Sequence, residues 1–487
     1  MSSMPPYGVK PGRRRAGRRR AGPHRCDSVR HAVGWTALSA VVPGAGFLHS
    51  RRERLGAGVL LVALVGVVWA AVAMPHNLHG ALDLAFDTSR LTRDAVITAI
   101  CLVLWVGVVV GTFVVLRPSP AERPWHLAGG GAFVGALCLV VIAPVGLVVR
   151  DAFAQAHVVN AVFTHNKTAT RPTNVTAKDP WHGRTRVNVL LLGGDSGPNR
   201  EGTRTDTMML ASLDTRTGRT VTFGLPRNLM DVPFPEGSPL HTLYPDGFTG
   251  PGDPGSWMLN AVYREIPILH PHVLGASADE GADAIKQAVE GATGLPVDYY
   301  VLVDFTGFRQ LVDAMGGITV NVNVPVAING QTDAGIPPTA YIQPGPDQHL
   351  DGFHALWYAR GRYGADDYQR MSRQRCVINA IIDEANPVNL LRRYQALAAA
   401  GTRVVRTDIP KELLPAFVQL ALKSKDHRAK SVLFRLSAQF SPGNPDFDYM
   451  HQVVQKALAA KPKHAHHAVS PTQDDTDACA YNPGQNY

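Results

Sequence analysis

Four apolar stretches dominate the first third of the chain: Val33–Leu48, Leu55–Met74, Ala95–Leu116 and Leu127–Val149. A helix that crosses a bilayer needs about 20 largely apolar residues. The last three stretches meet that length, whereas the first is shorter and is broken by Pro43, Gly44 and Gly46. The pattern therefore predicts a membrane region over 33–150, with spans at 55–74, 95–116 and 127–149 and a re-entrant or interfacial segment at 33–48. From Thr164 to Arg186 the sequence is rich in Thr, Asn, Lys and Pro and loses apolar periodicity, so 151–186 reads as an exposed linker.

Beyond residue 186 short apolar runs alternate with helical patterns. Val187–Leu192 reads as a buried strand running into Gly193-Gly194-Asp195. Thr207–Leu213 and Thr220–Leu225, on either side of Asp214-Thr-Arg-Thr-Gly218, read as a β-hairpin. Helices are expected over Ala278–Glu290, Phe305–Met315, Leu350–Ala359 and Asp367–Glu384, with others starting at Asn389 and Lys411. Strands are expected over Val297–Val303 and Ile318–Val324. This mixture without a fixed repeat predicts an α/β domain over 187–460, a mixed central β-sheet flanked by helices, after an N-terminal transmembrane helical region. The tail, 461–487, carries Lys463-His464-Ala-His466-His467 and then Ser, Thr and Asp; it reads as disordered and solvated rather than as a metal site.

The net charge of +9 is uneven. Arg13, Arg14, Arg15, Arg18, Arg19 and Arg20 form a basic head within 1–32, and Arg51, Arg52, Arg54, Arg117 and Arg123 mark two later connectors. A basic head beside the first apolar stretch is a positive-inside signal. Nucleic-acid binding has no support from aromatic interleaving or zinc-type spacing. With the basic loops inside, three crossings leave everything after Arg150 on the extracellular face of the cell membrane; four crossings would leave it in the cytoplasm. The apolar stretches continue too long for a cleavable signal peptide. The five cysteines form no CxxC pair. Cys376 and Cys479 both fall outside under this topology and are candidates for a disulfide, although spacing does not fix their separation. Asn166-Lys-Thr and Asn174-Val-Thr match glycosylation acceptors, triplets that also arise often by chance.

Candidate chemistry gathers in three places. Asp195 follows one strand and Asp206, in Arg204-Thr-Asp206-Thr, begins another, so both can project from one sheet edge. Carboxylates placed so suit a hard divalent cation reaching phosphate oxygens; the plainer alternatives are a turn aspartate and a surface ion pair. Gly193-Gly194 is not a P-loop, because no Gly-Lys-Ser/Thr follows. Leu225-Pro226-Arg227-Asn228 presents Arg227 from a stiff strand exit, apt for bidentate phosphate recognition or simply solvated. Finally, Tyr358-Ala-Arg360-Gly-Arg362 precedes Asp366, Asp367, Arg370, Arg373, Gln374 and Arg375. Arg370 and Gln374 share a helix face with Arg373 close by, and Asp367 suits the helix N-terminus. Five arginines within these sixteen residues, with two acids between them, exceed what a solvated surface needs.

These segments, with Leu259-Asn260-Ala, Val297-Asp-Tyr-Tyr-Val, Asp304-Phe, Leu311-Val-Asp-Ala-Met-Gly-Gly and Leu350-Asp-Gly, resemble the LytR–CpsA–Psr family. Each motif is weak alone, but the ordered set is specific, and it runs from about Val187 to Leu397. The resemblance implies a phosphotransferase that moves a glycopolymer from a polyprenyl-pyrophosphate carrier onto peptidoglycan in cell-wall assembly. It implies Mg²⁺ at Asp195 and Asp206, and pyrophosphate held by Arg227, Arg360, Arg362, Arg370 and Gln374. Arg204 would be a further active-site arginine, with Arg204, Asp206 and Arg227 as the catalytic set. It further implies an apolar cavity for the lipid chain, which helices from Ala278 and Phe305 are expected to line. Two readings stay open beside transfer: a membrane-anchored protein that senses polyprenyl-linked precursors, and a carrier pyrophosphatase.

The chain departs from the family pattern in three places. Asn228 stands where an aspartate usually follows Pro-Arg, and Met258 where a lysine is common. The Pro- and Gly-rich insert His241–Gly255 predicts an altered loop near the site.

Overall fold

The computed structural model describes residues 26, 28–50, 52–73, 80, 84, 86–118, 124–163, 168–195, 204–330, 332, 335–384, 405–425, 427, 429–460 and 479–484. The chain divides into two compact units, residues 1–74 with 95–149, and residues 75–94 with 150–487. The helix expected from Asn389 lies outside the described residues, as does the histidine-rich run.

The first unit contains helices α1 (Val29–Val41), α2 (Ala45–His49) and α3 (Glu53–Ala73), and most of α4 (Thr88–Leu116) and α5 (Pro124–Phe163). Three of these are long and apolar enough to cross a membrane, over Glu53–Val72, Thr88–Leu116 and Trp125–His157. Side chains such as Leu61, Val62, Val103 and Val140 are exposed, which an aqueous protein would avoid in such number and a lipid-facing helix requires. The stretch 33–48 does not form one helix. It breaks at Pro43 and Gly44, where φ is 98° and a Cβ would meet the Gly56 carbonyl oxygen at 2.6 Å. Neither α1, with 13 residues, nor α2, with 5, is long enough to span.

The second unit is built on a six-stranded mixed sheet. Its strands are β1 (Arg186–Asp195), β2 (Arg204–Asp214), β3 (Thr220–Gly224), β4 (Tyr299–Asp304), β9 (Val405–Thr407) and β10 (Lys430–Leu433), in the order β10-β3-β2-β1-β4-β9. β1 and β4 are parallel, as are β10 and β3; the other pairs are antiparallel. On one face, Leu190, Leu210 and Phe223 pack against α7 (Leu259–Leu269), α8 (Glu280–Thr293) and the C-terminal helix α13 (Phe447–Ala459). The other face meets α9 (Phe305–Met315), α10 (Gly352–Arg360), α11 (Asp367–Glu384) and α12 (Leu414–Lys425). Two small two-stranded sheets, β5 (Ile318–Val322) with β8 (Gly345–Leu350) and β6 (Val326–Ile328) with β7 (Ala340–Ile342), build a second core with α10 and α11. Strand-to-helix alternation and caps match the sequence pattern: Asp304 caps α9 through Gly307 N–H at 2.7 Å, and Gly316 ends it at φ 91°.

Two expectations are revised, and the insert, which starts within the short helix α6 (Pro239–Leu243), is located. The expected exposed linker over 151–186 is exposed only in part. α5 continues to Phe163, and Thr168 is buried with its hydroxyl donating to Asp408 at 2.6 Å. Asp283 accepts from the backbone N–H groups of Ala169 and Thr170 at 3.0 and 2.8 Å. Buried carboxylates recruit those amides because an unpaired charge inside the protein is costly. In the tail, expected to be disordered, residues 479–484 dock on β5, with Asn321 and Asn323 donating to the carbonyls of Cys479 and Ala480. Cys376 and Cys479 are disulfide-bonded, with a Cα–Cα distance of 5.4 Å. Finally, the insert His241–Gly255 is not a free loop. Phe248 is fully buried among Phe234, Tyr244 and Trp257, and its N–H donates to Val232 O at 2.8 Å. The aromatic side chains explain this, since each removes a large apolar area from water.

Candidate functional site

β1 and β2 meet at the end of the sheet where β1 finishes. The register there shifts: Gly193 pairs with Thr207 and Gly194 with Thr205, so Asp206 is the extra residue of a β-bulge. A bulge breaks the strict alternation of side chains and re-aims the inserted residue. Gly193 permits the close approach, because a Cβ there would come within 3.0 Å of the Thr207 side chain. Asp195 pairs with Arg204 at the very end of the ladder, so the backbone brings both to the edge that carries Asp206. The structure describes the backbone of these two residues and not their side chains.

Arg227 leaves β3 through Leu225-Pro226. Its loop is held by the N-terminus of α7, where Asn260 N–H donates to Arg227 O at 3.0 Å and Leu259 N–H to Leu229 O at 2.8 Å. A helix N-terminus has amides without intrahelical partners, and here they fix an arginine-bearing turn. From that turn Arg227 Nη1 donates to Asp206 Oδ1 at 3.0 Å, and its Nε lies 3.6 Å from Asp367 Oδ1. Asp367, at the first turn of α11, also takes Arg370 Nη2 at 2.9 Å, one helical turn along. The same Arg370 Nη2 lies 3.2 Å from the backbone carbonyl of Asp206. Asp206, Arg227, Asp367 and Arg370 thus form a closed ring of alternating charge. Arg370 is buried, and desolvation, the largest cause, lowers its pKa, with Asp367 opposing. Its Nε is buried without a hydrogen-bond partner among the described residues. A buried cationic donor left unpaired is costly, and here it marks where an anion would be welcome.

α10 and α11 bring in the rest. Arg360 lies over the rings of Phe305 and Trp357, at 4.3 and 4.8 Å from the centroids. Arg362 is exposed in the connecting loop, and no ion pair of its guanidinium is found among the described residues. It is close enough to Arg370 to lower that group's pKa, so the site carries an excess of positive charge. Arg373 plays another part. Its Nε donates to Tyr358 O at 2.8 Å and its Nη2 to Gly361 O, so it clasps the C-terminus of α10 against α11. Burial holds its pKa down at about 10. Asn228 is exposed beside Arg227, and Met258 is the N-cap of α7 without a side-chain cap.

Gln374 and Arg360 also line a cavity of about 560 Å³ between the sheet and the helices α9 to α12. Its walls are almost entirely apolar, among them Leu191, Val301, Phe308, Val377 and Ile381. The helix from Phe305 lines it as expected. The helix from Ala278 does not, because α8 packs on the opposite face of the sheet through Ile285 and Val289. The period of α8 shows an apolar stripe but not which face of the sheet receives it.

Of the residues singled out from sequence, the structure joins Asp206, Arg227 and Arg370 directly and sets Arg360, Arg362 and Gln374 around them. The bridging role of Asp367 was not anticipated; its spacing to Arg370 was the available signal. No group of three or more metal-ligating side chains occurs among the described residues.

The chain is 29% identical over 242 residues to the polyisoprenyl-teichoic acid–peptidoglycan teichoic acid transferase TagU of Enterococcus faecalis, covering 48% of this chain and 64% of that protein. It is 33% identical over 131 residues to the transferase TagV of Bacillus subtilis, covering 26% of this chain and 33% of that one. The matches thus span less than two thirds of these relatives. The crystal structure of B. subtilis TagV superposes with a TM-score of 0.40 at 23% identity, covering 57% of this chain and 99% of that one. The LytR_cpsA_psr family pattern matches residues 153–462, well over half of the sequence, and the chain belongs to that family.

Proposed function

We propose that the protein is a phosphotransferase that moves a glycopolymer from a polyprenyl-pyrophosphate carrier onto peptidoglycan. The observation that carries this reading is the charged ring of Asp206, Arg227, Asp367 and Arg370 set at the mouth of a long apolar cavity. One amphiphile satisfies both halves: an anionic pyrophosphate in the arginines and an apolar chain in the cavity. The relatives' names, teichoic acid transferases acting from polyisoprenyl carriers to peptidoglycan, support it.

In this reading a hydroxyl of the wall polymer attacks the phosphorus that bears the glycopolymer. The new P–O bond forms as the bond to the bridging oxygen breaks, and polyprenyl phosphate leaves with that electron pair. Charge spread over the phosphoryl oxygens is met by Arg227, Arg360, Arg362 and Arg370, with Gln374 as a neutral donor and Arg204 at the strand edge. Preformed pairs with Asp206 and Asp367 hold the arginines in place before substrate arrives, which lowers the reorganisation needed. Asp206 is the carboxylate at hand to take the proton released by the attacking hydroxyl.

In this reading Mg²⁺ would sit at the sheet edge, held by Asp206 and Asp195. Asp206 offers Oδ2, which accepts no hydrogen bond among the described residues, and Asp195 ends the neighbouring strand. When bound there, the ion would neutralise pyrophosphate charge. The three membrane-spanning helices, with the basic head and connectors inside, support a multi-pass protein whose domain faces outward.

The test incubates full-length protein in nanodiscs with lipid-pyrophosphate-linked sugar, peptidoglycan and Mg²⁺, and follows product masses. A sugar phosphate joined to peptidoglycan is the expected product. Free sugar phosphate would make the protein a carrier pyrophosphatase, and carrier binding without turnover would make it a sensor.

A further inference from the structure

The cavity has two unlike ends, and the strand register identifies them. β1 and β4 run parallel, with Val189 beside Tyr299 and Gly194 beside Asp304. Gly193, Thr207, Asp304, Arg360 and Gln374 therefore line the end next to the charged ring. At the other end, where β1 and β4 begin, the lining includes Val189, Leu213, Thr220, Ile409, Ser424 and Phe417. Phe417 is the last ring on that side. It stands edge-on to Tyr299 at 5.5 Å and to Trp181 at 5.1 Å, both of them behind it. Further back lies packed core: Val187, Tyr299, Leu413 and Leu414, joined by Val159 of α5 and flanked by Phe163.

Trp181 does not belong to the sheet or to the helices around the cavity. It comes from the segment 168–185 that follows α5, and that segment is fastened inside the unit by Asp283 and Asp408. The far wall is thus a Phe417 ring of α12 wedged between a strand residue and the post-membrane segment.

We infer that Phe417, backed by Trp181, is the end-stop that sets how long an apolar chain the cavity accepts. The inference rests on the proposed reading of the cavity as the seat of the carrier's chain, and it adds the residue that measures that chain. A methylene that enters the cavity gains about fourfold in affinity, whereas one that meets a packed ring gains nothing. Affinity should therefore climb with chain length and then stop at a break.

The experiment uses full-length protein in nanodiscs and a series of linear alkyl phosphates from decyl to docosyl, with binding measured by calorimetry. Wild-type protein is expected to show the break. Phe417→Ala should move it to longer chains, and Trp181→Ala should move it less, since Trp181 acts through the ring. Ala421→Leu adds bulk to the cavity wall one turn along α12 and should move the break to shorter chains, without removing any core contact. Melting temperatures monitor folding of each variant. A break unchanged in Phe417→Ala and in Ala421→Leu overturns the end-stop and leaves the proposed function standing. Failure of wild-type protein to bind any member of the series overturns both.

Discussion

Arg227 and Asp206 are joined at 3.0 Å although neither sits in regular strand geometry: Arg227 lies past the end of β3, and Asp206 is the residue that the β-bulge inserts. The bulge turns the carboxylate toward the turn, and the α7 amides hold the turn toward the carboxylate. Substitution of Arg227 by Ala should reduce transfer by about 10²–10³-fold, the loss typical when a donor to developing charge is removed. Arg227→Lys should recover only part of it, because lysine cannot reach Asp206 and Asp367 with one planar fork. Turnover with lipid-linked sugar checks this, and wild-type rates in Arg227→Ala would sink the assignment.

Much of this site was legible before the fold. Arg370 and Gln374 share a face because they are four apart on a helix, and Pro226 announces a fixed exit for Arg227. The bulge at Asp206 was not, since a one-residue shift depends on how two strands pair and leaves no mark in either alone. The post-membrane segment misled for a related reason. Thr168 and Thr170 look solvated until Asp408 and Asp283, more than a hundred residues on, are brought beside them. Arg373, counted in the arginine cluster, instead donates to the carbonyls of Tyr358 and Gly361 at the end of α10.

Lys286 and Asp408 form a fully buried pair at 2.9 Å, and Asp408 also accepts from Tyr300 N–H at 2.9 Å and from Thr168. Removing one partner strands the other charge. Lys286→Met should destabilise the protein by on the order of 3–5 kcal/mol, and adding Asp408→Asn should restore part of it, because the uncharged amide oxygen can still accept from Tyr300 N–H. Chemical denaturation of the wild type and both variants measures this. A double variant less stable than Lys286→Met would contradict it.

Asp351 caps α10 by accepting from His354 N–H at 2.8 Å, and α10 delivers Arg360 to the site. The bond to the His354 amide, the largest cause, holds its pKa below the usual carboxylate value of 3.8. A carboxylate depressed on folding stabilises above its unfolded pKa, and the benefit disappears as pH falls through the folded one. Asp351→Ala should cost about 0.5–2 kcal/mol at neutral pH, and Asp351→Asn far less, because asparagine also caps. The gap between wild type and Asp351→Ala should narrow as the pH drops below about 4. Melting curves across that range test it; a constant gap would show that the cap carries no charge-dependent stability.

The disulfide between Cys376 and Cys479 closes a loop with a sequence separation of 103 and fastens residues 479–484 to α11, two positions after Gln374. Closing so long a loop restricts the unfolded chain, and such a bond contributes about 2–4 kcal/mol. Cys376→Ser, Cys479→Ser and reduction of the wild type should therefore lower stability by the same amount. Equal losses are the diagnostic, since none of the three changes removes the backbone bonds from Asn321 and Asn323. The bond also bears on topology, because it persists in an oxidising compartment and not in the cytosol. Protein isolated from intact cells under thiol-blocking conditions should carry no free thiol at either position. Free thiols at both would place the domain on the reducing side of the membrane.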